Sequence, residues 1–194
     1  AGRTLYSLYC ETYTRREWFP KLFAYAKDIG ITLFSSVFDE EGVDYLEGLG
    51  CPAYKVSAYE FRDDALLKKV ASTRKPIIIS VPSIANIGGE MPTAAPPNDN
   101  IAYLHCVSKY PCPDGEAELW RIMGMRHRFE KHGWAVGFSD HTVGIETAVE
   151  VAKLGASIIE KHITLSRENG GPDKAFSLEP AEFKQMVQEI RNAA

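Results

Sequence analysis

The sequence predicts an α/β fold built on a parallel sheet. Three observations carry this: from about residue 16 short apolar runs alternate with helical patterns, polar residues collect where the apolar runs end, and 194 residues at 45% hydrophobic content suffice for one core. The first helical pattern runs from Trp18 to Ile29, with Phe19, Leu22, Phe23 and Ala26 on one face and Gly30 as its stop. The apolar run Ile31 to Ser36 follows as a strand. Glu40 to Leu49 repeats the helical spacing with Val43, Tyr45, Leu46 and Leu49, and Gly50 closes it. Ala53 to Ala58, Pro76 to Ser80, Ile101 to Cys106, Ala135 to Ser139 and Ser157 to Ile163 read as further strands, each buried on both faces. Between them, Asp63 to Ser72, Glu116 to His132, Gly144 to Leu154 and Pro180 to Ala193 read as helices; Pro180 suits a first helical turn. Val81 to Asn100 is the exception. Two glycines, four prolines and three asparagines there predict a loop or a shortened crossover.

Such strand and helix units build either a doubly wound open sheet or a (β/α)8 barrel, and in both the chemistry gathers at the carboxyl ends of the strands. The chain has no G-x-G-x-x-G after its first strand and no G-x-x-x-x-G-K-[ST], which weakens the nucleotide-binding open sheet. With 22 Lys and Arg against 26 Asp and Glu, the net charge of -4 gives no footprint for nucleic acid. No apolar run approaches the roughly 18 residues of a membrane span. The four cysteines lie far apart without a C-x-x-C pair, as expected of a cytoplasmic protein.

The strand ends supply the candidates for chemistry. Ser35 and Ser36 end the first strand, Lys55 and Ser57 lie on the second with Glu60 beyond, and His105 ends the fourth, before Ser108 and Tyr110. Ser139, Asp140, His141 and Thr142 end the fifth; Glu160, Lys161 and His162 end the sixth, with Asp173 in the following loop. His141 and His162, at the ends of adjacent strands, could bind Mn²⁺, Mg²⁺, Zn²⁺ or Fe²⁺ with oxygens completing the shell, or could be satisfied partners near a core. Lys55, in an apolar strand, needs a counter-charge, because an unpaired buried ammonium is costly. An ion pair with Glu60 or Glu160, a bound anion and a Schiff base are the alternatives. Ser36, Ser108 and Ser139 could surround a phosphate or carboxylate, or could be turn and cap residues.

The runs FSSVFDEEGVDYLEGLGCPAYKV, KPIIIS, LHCVSKYPCP, VGFSDHTVG, LGASIIEKHITL and GPDKAFSLEPAEFKQMVQEIR resemble, in order and spacing, the sialic acid synthase family, whose members condense phosphoenolpyruvate with an amino sugar. The front segment TLYSLYCETYTRREWFPKLF looks more like the pseudaminic acid synthase branch than the N-acetylneuraminate or legionaminate branches. The resemblance implies a (β/α)8 TIM barrel, incomplete, with about six of eight strands. It implies a divalent metal, Mn²⁺ or Mg²⁺, at His141 and His162. Phosphoenolpyruvate binding falls on Ser36, Lys55, Ser108 and Ser139, and the sugar side on Tyr110, Glu60 and Asp173; of these, the two carboxylates Glu60 and Asp173 are the expected catalytic residues. The implied partners are phosphoenolpyruvate and an N-acetylated amino sugar, in a homodimer of the full-length protein.

Departures from the family pattern set further expectations. KVSAYE stands where the family reads K-[IV]-[AG]-S-x-E, so Ser57 is one place early, and SVPSIANIGGEMPTAAPPNDN replaces STGM and a helix. The family's first two strands and its C-terminal antifreeze-like domain, which lends an Arg to the partner subunit, have no counterpart within residues 1–194. The expectation is a partial barrel domain, cut from a longer protein or retained as a non-catalytic remnant.

Overall fold

The computed structural model describes residues 4–83 and 100–193. It contains a six-stranded parallel sheet: β1 (Ser35–Ser36), β2 (Tyr54–Val56), β3 (Ile77–Pro82), β4 (Ile101–Cys106), β5 (Ala135–Asp140) and β6 (Ile158–Lys161). Its spatial order is β1-β2-β3-β4-β5-β6. A doubly wound sheet reverses its strand order at a switch point, and this one never does, so the barrel-type winding holds. The helices are α1 (Leu5–Thr12), α2 (Phe19–Asp28), α3 (Glu40–Gly48), α4 (Asp64–Ser72), α5 (Trp120–Phe129), α6 (Glu146–Lys153) and α7 (Pro180–Ala193).

Local chemistry explains where these elements start and stop. Asp39 Oδ1 accepts the Gly42 N–H at 2.6 Å and Asp63 Oδ1 accepts the Leu66 N–H at 3.0 Å, satisfying donors at the starts of α3 and α4. Gly133 at φ 76° and Gly155 at φ 90° turn the chain back toward β5 and β6. Two details differ from expectation. Thr4 caps an additional helix, α1. The fourth expected helix, Glu116 to His132, divides into 3-10 turns at Asp114–Glu116 and Glu130–His132 on either side of α5. Residues 84–99, most of the expected irregular crossover, lie outside the described residues.

Parallel register places directly paired residues on the same face. One face carries Tyr54, Val56, Ile77, Ile79, Val81, Ile101, Tyr103, Val136 and Phe138, which pack with α3, α4 and α5 into the main core. Each such side chain fully removed from water contributes about 1.5–3 kcal/mol. A smaller cluster of Ile145, Ala148, Leu178 and Met186 seats α7 against α6. The opposite, inner face carries Ser36, Lys55, Ser80, Cys106, Ser139 and Glu160. The middle strands are buried on both faces as expected, but β1 and β6 are half-buried because, among the described residues, each has a neighbour on one side only.

His105 is a correction of direction. The strand end reads as facing the barrel mouth, yet the side chain points to the helix face, where Nε2 lies 3.0 Å from the Ala117 carbonyl and the ring packs on Phe138. Register decides this: His105 pairs with Phe138 and so shares its face.

Candidate active site

Lys55, 7% exposed, lies on the inner face, where its Nζ donates to Ser80 Oγ at 2.7 Å and stands 3.5 Å from Glu160 Oε1. Of the two carboxylates that could pair with it, Glu160 does so. Ser139 Oγ donates to the same Glu160 oxygen at 2.7 Å, which closes a chain Ser80, Lys55, Glu160, Ser139 across the sheet. Ser36 is the register partner of Lys55 and shares its face. The Cys106 thiol lies against the Ser139 and Ser108 hydroxyls; burial pushes it up, and the nearby Lys55 ammonium pulls the other way. An ammonium set among hydroxyls, beside a carboxylate that is partly exposed, is chemistry that suits an anionic ligand.

At the adjoining strand ends, the His141 and His162 rings stand 5.3 Å apart, edge to face. Tyr110 covers His141 at 4.3 Å between ring centres, and Phe176 meets His162 at 4.9 Å and His141 at 6.0 Å. Burial lowers the pKa of both histidines; the backbone carbonyl of Val107 opposes it at His141, and Asp173 opposes it at His162. Both are thereby biased toward the neutral form that ligates cations. His141 Nδ1 sits 3.0 Å from the Val107 carbonyl, which can only accept, so Nδ1 carries the proton and Nε2 keeps its lone pair. His162 Nδ1 is 3.6 Å from Asp173 Oδ2. Among the described residues no group of three or more His, Cys, Asp or Glu could hold a metal ion, so the two imidazole nitrogens are the donors this pair could offer one.

The structure thus assembles Ser36, Lys55, Ser108 and Ser139 on one side and Tyr110, His141, His162 and Asp173 on the other. Burial raises the Tyr110 hydroxyl pKa well above the ordinary phenol value, leaving a neutral donor. The Glu60 carboxylate takes the Ser57 hydroxyl in the loop after β2. The early serine therefore holds this carboxylate and caps the loop through the Tyr59 N–H at 3.2 Å. Ser80 and Phe176 escaped the sequence reading. Ser80 carried the signal that marks Ser36 and Ser139, a hydroxyl ending an apolar run, whereas nothing distinguishes Phe176 from a core residue.

The NeuB family model matches residues 1–194. A pseudaminic acid synthase of Helicobacter pylori is 36% identical over 192 residues, covering 97% of this chain and 56% of that protein. An N,N'-diacetyllegionaminic acid synthase of Campylobacter jejuni is 38% identical over 178 residues, covering 88% and 52%. The chain spans about half the length of the curated relatives it matches. The crystal structure of an N-acetylneuraminic acid synthetase from Leptospira borgpetersenii, in complex with citrate, superposes with a TM-score of 0.89 at 28% identity, over 96% of this chain and 65% of that one. Six sequentially ordered strands inside that larger fold make an incomplete (β/α) barrel. The chain belongs to the NeuB family, with the sialic, pseudaminic and legionaminic acid synthases as its relatives.

Proposed function

We propose that the protein containing this chain condenses phosphoenolpyruvate with the open-chain aldehyde of an N-acetylated amino sugar to form a nonulosonic acid of the pseudaminic type. The observation that carries the reading is the buried Lys55 ammonium, set among serine hydroxyls on the inner face beside the paired imidazoles. Lys55, Ser36, Ser80, Ser108 and Ser139 hold the carboxylate and phosphate of phosphoenolpyruvate. Tyr110 and Asp173 line the sugar side, and Glu60 orients the sugar hydroxyls or the attacking water. A divalent cation, Mn²⁺ or Mg²⁺, on His141 and His162 supplies Lewis acidity at the sugar aldehyde. With both substrates so oriented, C3 of phosphoenolpyruvate bonds to the aldehyde carbon, whose oxygen takes a proton. Water adds at C2, and the C2–O bond to phosphate breaks to release inorganic phosphate. The protein acts in the cytoplasm as a homodimer.

Identity to a legionaminic acid synthase matches that to a pseudaminic acid synthase, which favours legionaminate formation as the second reading. The test incubates the full-length protein with phosphoenolpyruvate, Mn²⁺ and a panel of amino sugars, following phosphate release and product mass. A pseudaminate precursor should react best, and His141→Ala should abolish turnover. Phosphoenolpyruvate and Mn²⁺ binding without turnover on any sugar would instead favour a non-catalytic remnant.

A further inference from the structure

Beneath the two imidazoles lies an ion pair that the reaction does not use. Asp140 and Lys161 are register partners, each immediately precedes one of the paired histidines, and both side chains are 0% exposed. Lys161 Nζ donates to Asp140 Oδ2 at 2.8 Å and to the Thr142 carbonyl at 2.6 Å. Asp140 Oδ1 accepts from the Thr142 N–H at 2.8 Å and from its hydroxyl at 2.7 Å. The pair faces the helices rather than the inner face, so it touches neither proposed substrate.

We infer that Asp140 and Lys161 are positioning residues that fix the separation of His141 and His162 and so set the affinity of that site for a divalent cation; the inference rests on the metal reading above. The β5–β6 ladder ends at this pair, so both imidazoles stand beyond the last backbone register contact between their strands. The backbone bonds of the histidines run elsewhere: the His141 carbonyl accepts from Cys112 N–H at 2.9 Å and the His162 carbonyl from Leu178 N–H at 2.9 Å. These bonds tie His141 to the loop after β4 and His162 to the loop after β6, not one histidine to the other. Past the ladder the two strands are tied by the Lys161 ammonium, bonded to the Asp140 carboxylate and the Thr142 carbonyl, on an edge strand with no second neighbour among the described residues. Buried ion pairs contribute little net stability over an apolar pair of similar volume, so fixing geometry is the role this one performs. Residues behind metal ligands act in this way, and their loss typically weakens metal binding about 10–100-fold.

The test replaces the whole pair, Asp140→Leu with Lys161→Met, in the full-length protein, which leaves no orphan charge. Mn²⁺ binding is read from the spectroscopic signal of the free ion, phosphoenolpyruvate binding by calorimetry, and folding by thermal denaturation. The expected result is a folded variant that binds phosphoenolpyruvate within about twofold of the unaltered protein but Mn²⁺ at least about tenfold more weakly. A folded variant with unchanged Mn²⁺ affinity overturns the positioning role and leaves the metal reading intact. No Mn²⁺ uptake by the unaltered protein overturns the metal reading and this inference with it. Should the double variant not fold, Lys161→Arg decides: it keeps the charge on a longer, planar head, so weaker Mn²⁺ binding supports the role and unchanged binding overturns it.

Discussion

Two lysine–carboxylate pairs lie on opposite faces of the same sheet and are built to different standards. On the helix face, Lys161 and Asp140 approach to 2.8 Å with neither side chain exposed, and every remaining polar atom is engaged. On the inner face, Lys55 and Glu160 stand 3.5 Å apart, and Glu160 is 39% exposed. The first pair is sealed and cannot exchange partners. The second is open on the carboxylate side, so an arriving anion can take the place of Glu160 beside the ammonium. A parallel sheet wound without reversal puts its helices on one face, and that asymmetry separates groups that hold the fold from groups left to meet a ligand.

The sharpest way to break this contrast is to make one substitution at both lysines. Lys161→Met leaves the Asp140 carboxylate buried without a counter-charge, which costs about 3–5 kcal/mol. Denaturant unfolding should show a midpoint far below that of the unaltered protein. A loss under about 1 kcal/mol would mean that water reaches the pair and that the two faces do not differ as described.

The next effect tests the dry character of the helix face. Burial lowers the His105 pKa from 6.5 to about 4, against a raising contribution from the Ala117 carbonyl. Between those two values the unfolded chain binds a proton that the native one refuses. Stability from this group is therefore complete above about pH 6.5 and falls as the pH is lowered toward 4, by roughly 3 kcal/mol. His105→Gln keeps a side-chain donor and removes the titration, so its unfolding free energy should fall less between pH 7 and pH 4 than that of the unaltered protein. Equal slopes would place His105 in contact with water.

How far the sequence foretold this arrangement depends on the scale of the signal. The strands, and the polar residues at their carboxyl ends, were legible because an apolar run between helical patterns is a local property, and β4 spans the expected Ile101–Cys106. The face to which a residue turns is not local. His105 and Cys106 are neighbours, and alternation separates them, but only the register with Phe138 and Ser139 says which one faces the helices. Partnership was equally hidden: Lys55 had two candidate carboxylates at very different chain separations, and only the sheet brings Glu160 across to it. Lys161 stood in the strand beside Glu160 and His162 with no feature to mark it as the sealed partner of Asp140.

The smallest expected change in stability, and the most informative about function, comes from Lys55→Met. The stem of the new side chain refills the space of the old one, Ser80 keeps its hydroxyl, and Glu160 remains solvated and bonded to Ser139. No charge is left sealed, so unfolding should shift by no more than about 1 kcal/mol. On the proposed function, phosphoenolpyruvate binding loses the buried Lys55 ammonium and should weaken by about tenfold or more, since hydrogen bonds to a charged group contribute about 1.5–3 kcal/mol. Calorimetry on a folded Lys55→Met variant therefore separates the two roles that a lysine plays in this sheet. If affinity persists, the anion lies elsewhere and the inner-face pair is structural after all. If instead stability collapses as it does for Lys161→Met, the Lys55 side is as sealed as the other, and the distinction between the faces fails.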